Sequence, residues 1–235
     1  MQFTPFGDAA LLIQLEQRID PAINETILSL HELIEASDPL GYCYSIPAYS
    51  SLTIVYDPET TSYNDFRERL SQLCQAVPMK HTEGPTINIP VCYDHEFGLD
   101  LNDLSSKLDL STKEITNLHL SQDYRVFMIG FLPGFTYLGM LPPSLECSRL
   151  DSPRMKVPAG SVGLAGLQTG IYPLESPGGW QIIGRTPISL FRPMSDQPFV
   201  IKAGDKVRFI SINKREFHTI EEDFRKGSYQ IHRHE

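Results

Sequence analysis

The stretch from Val157 to Trp180 reads VPAGSVGLAGLQTGIYPLESPGGW, and six of its residues are glycine. Such a run can belong to one of three kinds of structure: a phosphate-binding loop, a flexible linker, or the bends of a strongly curved sheet. A Walker loop ends in Gly-Lys-Ser/Thr, and a dinucleotide fingerprint places G-x-G-x-x-G before a helix. Neither pattern is present here. Large apolar side chains alternate with the glycines, which a linker would not need.

We therefore predict that these glycines turn the corners of a closed β-structure, because a residue without Cβ tolerates sharp bends and close backbone approach. The same bends can leave backbone amides free, and such amides hold carboxylates or phosphates in other proteins. A purely structural role and a role in ligand binding both remain open.

The flanking sequence supports a β-rich second half. Short apolar runs separated by proline and glycine are typical of a barrel or a sandwich, and we predict strands at Arg125 to Phe131, Gln181 to Ile183, Ile188 to Phe191 and Val207 to Ile212. No helical period is apparent after Tyr124. Two short helices are expected before it, at Asp100 to Leu108 and after the Ser111–Glu114 capping box, with His119 near the end of the second.

The first third of the chain alternates strands and helices. Asp20 and Pro21 begin an amphipathic helix with Ile27, Leu30 and Ile34 on one face, and Ser62 begins a second helix. The order strand, helix, strand, strand, helix, followed by the extended run TINIPVCYD, matches a ferredoxin-like arrangement. The stretch from Lys80 to Pro85 is the predicted boundary. It divides the chain into an α+β domain, 1–83, and a mainly-β barrel domain, 84–235.

Composition excludes several classes of protein. A chain of 235 residues that is 41% hydrophobic can bury a full core. We find no signal peptide and no apolar run long enough to span a membrane, so we expect a cytoplasmic protein with no membrane partner. The net charge of −9 argues against a nucleic-acid partner. The four cysteines lie too far apart to indicate a zinc site or a disulfide framework.

The charge is unevenly distributed. The segment from Arg149 to Arg215 carries ten Lys or Arg and four Asp or Glu side chains, although the whole chain is acidic. A basic segment of this kind suits a small anion or an acidic partner subunit. Scattered, solvated charges on strand surfaces would give the same count.

Three runs carry a family resemblance: GFLPGFTYLG (Gly130 to Gly139), SPRMKVPAGSVGLAGLQTGIYPLESPGGWQIIGRTPISLF (Ser152 to Phe191) and AGDKVRF (Ala203 to Phe209). They closely resemble the family of the 5-oxoprolinase B subunit, also called KipI or allophanate hydrolase subunit 1. Runs INIPVCYD and IPAYSSLTIVYD extend the similarity over nearly the whole chain.

The resemblance implies a ferredoxin-like domain followed by a cyclophilin-like β-barrel. It also implies two partners, the C subunit (KipA-like) and the A subunit, with which the family opens 5-oxoproline to glutamate using ATP. ATP would be bound by the complex, since this chain has no Walker motif. The KipI branch implies an alternative, inhibition of a sensor histidine kinase that the KipA-like partner relieves.

Opening an unstrained lactam requires an activated amide and cations or amides around the developing oxyanion. Arg154, in the SPR motif, is the first candidate, because a guanidinium offers a bidentate fork; a surface ion pair is the alternative. His119 is either an acid–base group or a helix-end residue. No triad, carboxylate pair or metal cluster is legible, which indicates a site shared with another chain.

The candidate substrate-binding residues belong to the glycine-rich stretch and its neighbours. Gln168 and Tyr172 either orient an amide or carboxyl group or stabilise a turn, and Arg185 is a second possible cation. Phe135 and Trp180 form either a pocket wall or part of the core.

Overall fold

The computed structural model describes residues 1–75 and 84–234 and divides into two compact units, Met1–Thr82 and Glu83–Glu235. Most of the predicted boundary at Lys80 to Pro85 lies outside the described residues. No helix in the described ranges is long and apolar enough to cross a membrane.

The first unit is a four-stranded antiparallel sheet with two helices. Its elements are β1 (Gln2–Pro5), β2 (Ala10–Gln14), α1 (Pro21–Ser37), β3 (Tyr42–Pro47), β4 (Ser51–Tyr56) and α2 (Tyr63–Gln75). The strand order is β1-β2-β4-β3. Leucine, isoleucine and phenylalanine side chains from both helices and the two central strands form one buried core.

The predicted start of α1 is confirmed. The Asp20 side chain accepts hydrogen bonds from the backbone amides of Ala22, at 2.9 Å, and Ile23, at 3.1 Å, and Pro21 opens the first turn. These amides have no partner inside the helix, so the aspartate satisfies donors that would otherwise need water.

The run TINIPVCYD does not join this sheet. It forms β5 (Thr86–Cys92), which belongs to the second unit, and the edge next to β2 is occupied by β1. The ferredoxin-like assignment therefore stays a prediction, since the expected last strand of that arrangement lies elsewhere.

The second unit contains a barrel of seven strands. Its remaining elements are α3 (Leu101–Leu108), α4 (Thr112–Leu120), β6 (Tyr124–Ile129), β7 (Thr136–Gly139), β8 (Arg154–Val157), β9 (Ser161–Ala165), β10 (Gln168–Ile171), β11 (Ser176–Gly178), β12 (Gln181–Arg185), β13 (Lys206–Ile212), α5 (Lys214–Lys226) and β14 (Arg233–His234). The barrel order is β12-β9-β10-β7-β6-β13-β5, and pairing of β12 with β5 closes it. β8 and β11 form a separate two-stranded ribbon. The fold is thus a barrel-containing α+β fold, as predicted in outline.

The glycines bend the barrel wall, as predicted. Gly166 has a positive φ of 58° in the turn between β9 and β10. A Cβ atom at Gly170 would lie 2.6 Å from the Thr136 carbonyl oxygen and 3.0 Å from the Trp180 ring. Because no side chain fits in that space, glycine lets neighbouring elements pack closely.

Two predictions for the second half were wrong. The segment Ile188 to Phe191 forms no strand; Phe191 alone makes an isolated bridge, to Phe199. The helix α5 was missed, although Asn213 and Glu216 form a capping box and Gly227 ends the helix with a φ of 76°. The buried Phe217 ring attaches α5 to Phe97, with ring centroids 4.4 Å apart.

Candidate functional site

Four aromatic rings gather at the glycine-rich stretch, and we call them the aromatic cluster: Phe135, Tyr137, Tyr172 and Trp180. The Phe135 ring lies at the centre, with its centroid 4.8 Å from Tyr137, 5.0 Å from Tyr172 and 5.5 Å from Trp180. The contacts with Tyr172 and Trp180 are edge-to-face, a favoured geometry for aromatic pairs. Three predicted site residues, Phe135, Tyr172 and Trp180, are thus brought together, and because each is at most 5% exposed they pack as part of the core.

The Tyr172 hydroxyl lies within this cluster rather than in solvent. Burial raises the pKa of Tyr172, while a hydrogen bond from the Trp180 backbone and the nearby charges of Arg149 and Arg154 act in the opposite direction. The phenol is therefore a neutral hydrogen-bonding group near neutral pH, beside two guanidinium charges.

Gly178 provides the space for Tyr172. A Cβ atom at Gly178 would lie 2.7 Å from Cε1 of Tyr172 and closer still to its hydroxyl, whereas a Cβ at the adjacent Gly179 would come no nearer than 3.6 Å to any atom. We expect Gly178→Ala to lower the free energy of unfolding by about 1–3 kcal/mol through overpacking. Gly179→Ala is the matched control and should change it by less than about 0.5 kcal/mol. Urea unfolding measures both, and equal stability of the two variants would contradict the packing.

Arg154 is held by a buried carboxylate. Its Nη1 donates to Asp100 Oδ2 at 2.9 Å, and its Nη2 donates to Oδ1 of the same side chain. Asp100 is 2% exposed, and its Oδ2 also accepts from the Ile182 backbone amide at 2.6 Å. The guanidinium, with 29% of its side chain exposed, is therefore fixed in one orientation. Two of its five N–H groups are used, so donors remain for a ligand.

His119 lies in the barrel interior. The ring is fully buried, and burial lowers the pKa of His119 to about 3. Its Nε2 lies 3.0 Å from Thr169 Oγ1, which donates to the Gly163 carbonyl oxygen at 3.2 Å, and its Nδ1 lies 2.8 Å from the Tyr93 hydroxyl. We infer that Nε2 carries the proton and Nδ1 accepts from Tyr93. Both nitrogens are used in this chain of hydrogen bonds, an arrangement that favours a structural role.

The last two predicted residues, Gln168 and Arg185, do not belong to the aromatic cluster. Gln168 begins β10, half-buried at the edge of the barrel wall and paired in register with Ala165 and Gly139. Arg185 ends β12, where its Nε donates to the Ala159 carbonyl oxygen at 2.7 Å, and it lines a cleft that no residue of the aromatic cluster lines.

Sequence reasoning missed two residues. Asp100 was assigned only to a helix start, yet it binds both Arg154 and β12; a contact 54 residues away has no local signal. Arg149 was counted among the basic segment's charges, and its charge influences both Tyr137 and Tyr172. Within residues 1–75 and 84–234, no group of three or more His, Cys, Asp or Glu side chains could hold a metal ion.

The fold and the site define the class of protein. The chain has an α+β unit followed along the chain by a closed mixed barrel, and the barrel carries an arginine beside an aromatic cluster. The family described as "Carboxyltransferase domain, subdomain C and D" matches residues 1–201. Two curated relatives are more specific. The 5-oxoprolinase B subunit of Bacillus subtilis is 37% identical over 236 residues, covering 94% of this chain and 97% of that protein. The corresponding protein of Escherichia coli O157:H7 is 40% identical over 205 residues, covering 87% and 93%. This chain belongs to the family of the 5-oxoprolinase B subunit.

A solved structure supports the fold at greater distance. The urea amidolyase of K. lactis superposes with a TM-score of 0.83 at 19% identity, over 98% of this chain and 16% of that chain. At that identity the likeness concerns the fold alone.

Proposed function

We propose that this chain acts in the cytoplasm as the B subunit of an ATP-dependent 5-oxoprolinase, which converts 5-oxo-L-proline, ATP and water to L-glutamate, ADP and phosphate. The observation that carries the proposal is the match to a 5-oxoprolinase B subunit over 94% of this chain and 97% of the relative. No described feature favours inhibition of a sensor histidine kinase over this role.

The reaction explains why several subunits are needed. An unstrained lactam is opened readily only after its carbonyl oxygen is activated, and transfer of a phosphoryl group from ATP supplies that activation. In the proposed division of labour, the A or the C subunit supplies the groups that this chain lacks, and ATP is bound by the complex.

The proposed contribution of this chain is a pocket wall. Arg154 offers a fixed positive charge near a developing oxyanion. The aromatic cluster, whose Phe135, Tyr172 and Trp180 rings are at most 5% exposed, supports this wall from the core and does not itself face the substrate. Gln168 is retained as a candidate for orienting the substrate amide. Arg185 lines a separate cleft and His119 lies in the barrel interior, so neither residue is part of the proposed wall.

Exposed apolar side chains near the wall support docking of the C subunit. Phe131 is 67% exposed and lies edge-to-face with Phe135, with ring centroids 5.8 Å apart. Met155 follows Arg154 in β8 and is 81% exposed. Large exposed apolar groups beside a binding wall are typical of surfaces that a partner covers. We propose accordingly that domain 84–235, a cyclophilin-like barrel, contacts the C subunit. We also propose that domain 1–83 is ferredoxin-like.

Reconstitution tests the function. The chain, mixed with candidate partners for the A and C positions of the complex, should form glutamate and ADP from 5-oxoproline and ATP, and omission of any one protein should abolish both products. Absence of turnover in the complete mixture would reject the proposal.

The double variant Phe131→Ala/Met155→Ala tests the docking surface. We expect at least about tenfold weaker binding of the C subunit, since central apolar anchors dominate interface energy. Ile210→Ala, which truncates an exposed apolar side chain on β13, should leave affinity unchanged. Sedimentation or light scattering with the purified C subunit measures the affinities, and equal affinity of all three chains would place the interface elsewhere.

A further inference from the structure

A large cleft in the second unit lies apart from the aromatic cluster. Its volume is about 850 Å³, and it is bounded by residues 159–160, by residues 185–189 and Arg192, and by one face of α5. Clefts of roughly 300–1,000 Å³ are typical of sites for small molecules. The proposed pocket wall does not use this cleft, although Arg185, which the sequence indicates as a candidate cation, lines it.

Three arginines, Arg185, Arg192 and Arg225, line the cleft. Two are held in place without a carboxylate. Arg185 donates to the Ala159 carbonyl oxygen, and its guanidinium carbon lies 5.9 Å from the centroid of Phe217. The guanidinium carbon of Arg192 lies 5.6 Å from the centroid of Phe224. Stacking on a ring fixes a guanidinium plane and leaves its N–H groups available.

Two carboxylates, Glu221 and Glu222, line the same cleft, and the pKa of Glu222 is lowered by the hydrogen bond and charge of Lys226 and, after these, by the nearby charge of Arg225. Glu222 pairs with Lys226 at 2.7 Å, and Glu221 lies 3.6 Å from Nδ1 of His218, all on α5. Among residues 1–75 and 84–234, no carboxylate comes within ion-pair distance of the guanidinium groups of Arg185, Arg192 or Arg225. Three arginines against two glutamates leave the concavity with a net positive charge, and guanidinium groups without a direct carboxylate partner favour bidentate binding of oxyanions.

The rest of the lining limits the ligand's size and character. Pro173, Pro187 and Ile188 supply an apolar wall. The volume exceeds what a single inorganic ion fills, so the ligand has a carbon skeleton as well as charged ends. We propose that this cleft binds a small organic anion with two or more carboxylate or phosphate groups, held by Arg185, Arg192 and Arg225.

Calorimetric titration of the full-length chain at low ionic strength tests the site. Citrate represents carboxylates and pyrophosphate represents phosphates, and the probe that binds more tightly identifies the charged group. Wild-type chain should bind at least one probe with a dissociation constant below about 1 mM. Absence of binding to both up to about 10 mM would overturn the proposal.

Arg192→Gln/Arg225→Gln is the test variant, because both side chains are exposed and the fold should survive, as an unchanged melting temperature without probe would show. We expect it to bind the preferred probe at least about tenfold more weakly. Arg215→Gln removes one charge from the same helix outside the cleft and should bind like wild type. Similar loss in both variants, or in neither, would overturn the assignment.

Discussion

Replacing Arg154 by alanine should lower the free energy of unfolding by about 3–5 kcal/mol, because removal of one partner leaves a buried charge uncompensated. The remaining Asp100 carboxylate is 2% exposed and, among the residues that the structure describes, would keep only the Ile182 amide as a donor. Urea unfolding followed by circular dichroism measures the loss.

An exposed pair of the same chemistry is the control. Arg208 donates from Nε and Nη2 to the two Asp123 oxygens, each at 2.7 Å, but half of the Arg208 side chain is in solvent. Surface ion pairs contribute little to stability, so Arg208→Ala should cause a far smaller loss. Losses of equal size would show that the Arg154 pair behaves as an exposed pair.

Because Arg154→Ala also destabilises the fold, loss of activity in this variant does not by itself assign Arg154 a role in the reaction. An inactive Arg154→Ala protein could have lost its fold, its geometry or its charge. Asp100→Asn/Arg154→Met separates these possibilities, because asparagine still accepts from the Ile182 amide and methionine fills the space without charge. The double variant should recover part of the stability, since it removes the uncompensated buried charge, although methionine offers the asparagine NH2 group no oxygen acceptor. A reconstituted complex that contains this stable variant and turns over at the wild-type rate would remove Arg154 from the mechanism.

Local signals in the sequence predicted much of the fold. The Asp20–Pro21 cap, the Ser111–Glu114 box and the glycine bends act through neighbours within a few residues, and each was legible. α5 has equally local signals, with Phe217, Ile220 and Phe224 at helical spacing, so the prediction that no helical period follows Tyr124 was wrong for this segment.

Long-range contacts could not be predicted in the same way. The Asp100–Arg154 pair joins the start of α3 to β8, and the arginine cleft combines β12, a loop and α5. Neither the ion pair nor the cleft follows from the hydrophobic periodicity of a single helix or strand. For the segment Ile188 to Phe191 the sequence predicted a strand that the structure lacks. Its residues are apolar and mostly buried, but a strand also needs the free edge of a neighbouring strand. Only Phe191 in this segment has a bridge partner.

Folding stability should fall as pH decreases from about 6.5, because of His119. The folded chain keeps this ring neutral, with a pKa of about 3, whereas the unfolded chain protonates it near pH 6.5. A depressed histidine pKa means that the unfolded state binds more protons below pH 6.5. The stabilisation is therefore complete above that value and is lost progressively toward pH 3, by up to about 1.4 kcal/mol per pH unit.

His119→Phe is the matched variant for this pH dependence. Phenylalanine keeps the stacking on Phe209, whose ring centroid lies 4.4 Å from that of His119, but it cannot titrate. It also leaves the Tyr93 hydroxyl without its acceptor, so the variant should be less stable than wild type at pH 7. The two chains should then converge by about 2 kcal/mol between pH 7 and pH 5, measured by urea unfolding at each pH, because only the wild type loses the histidine contribution. A constant difference over that range would show that the His119 ring is accessible to protons in the folded state, and the barrel interior would then be less closed than its packing indicates.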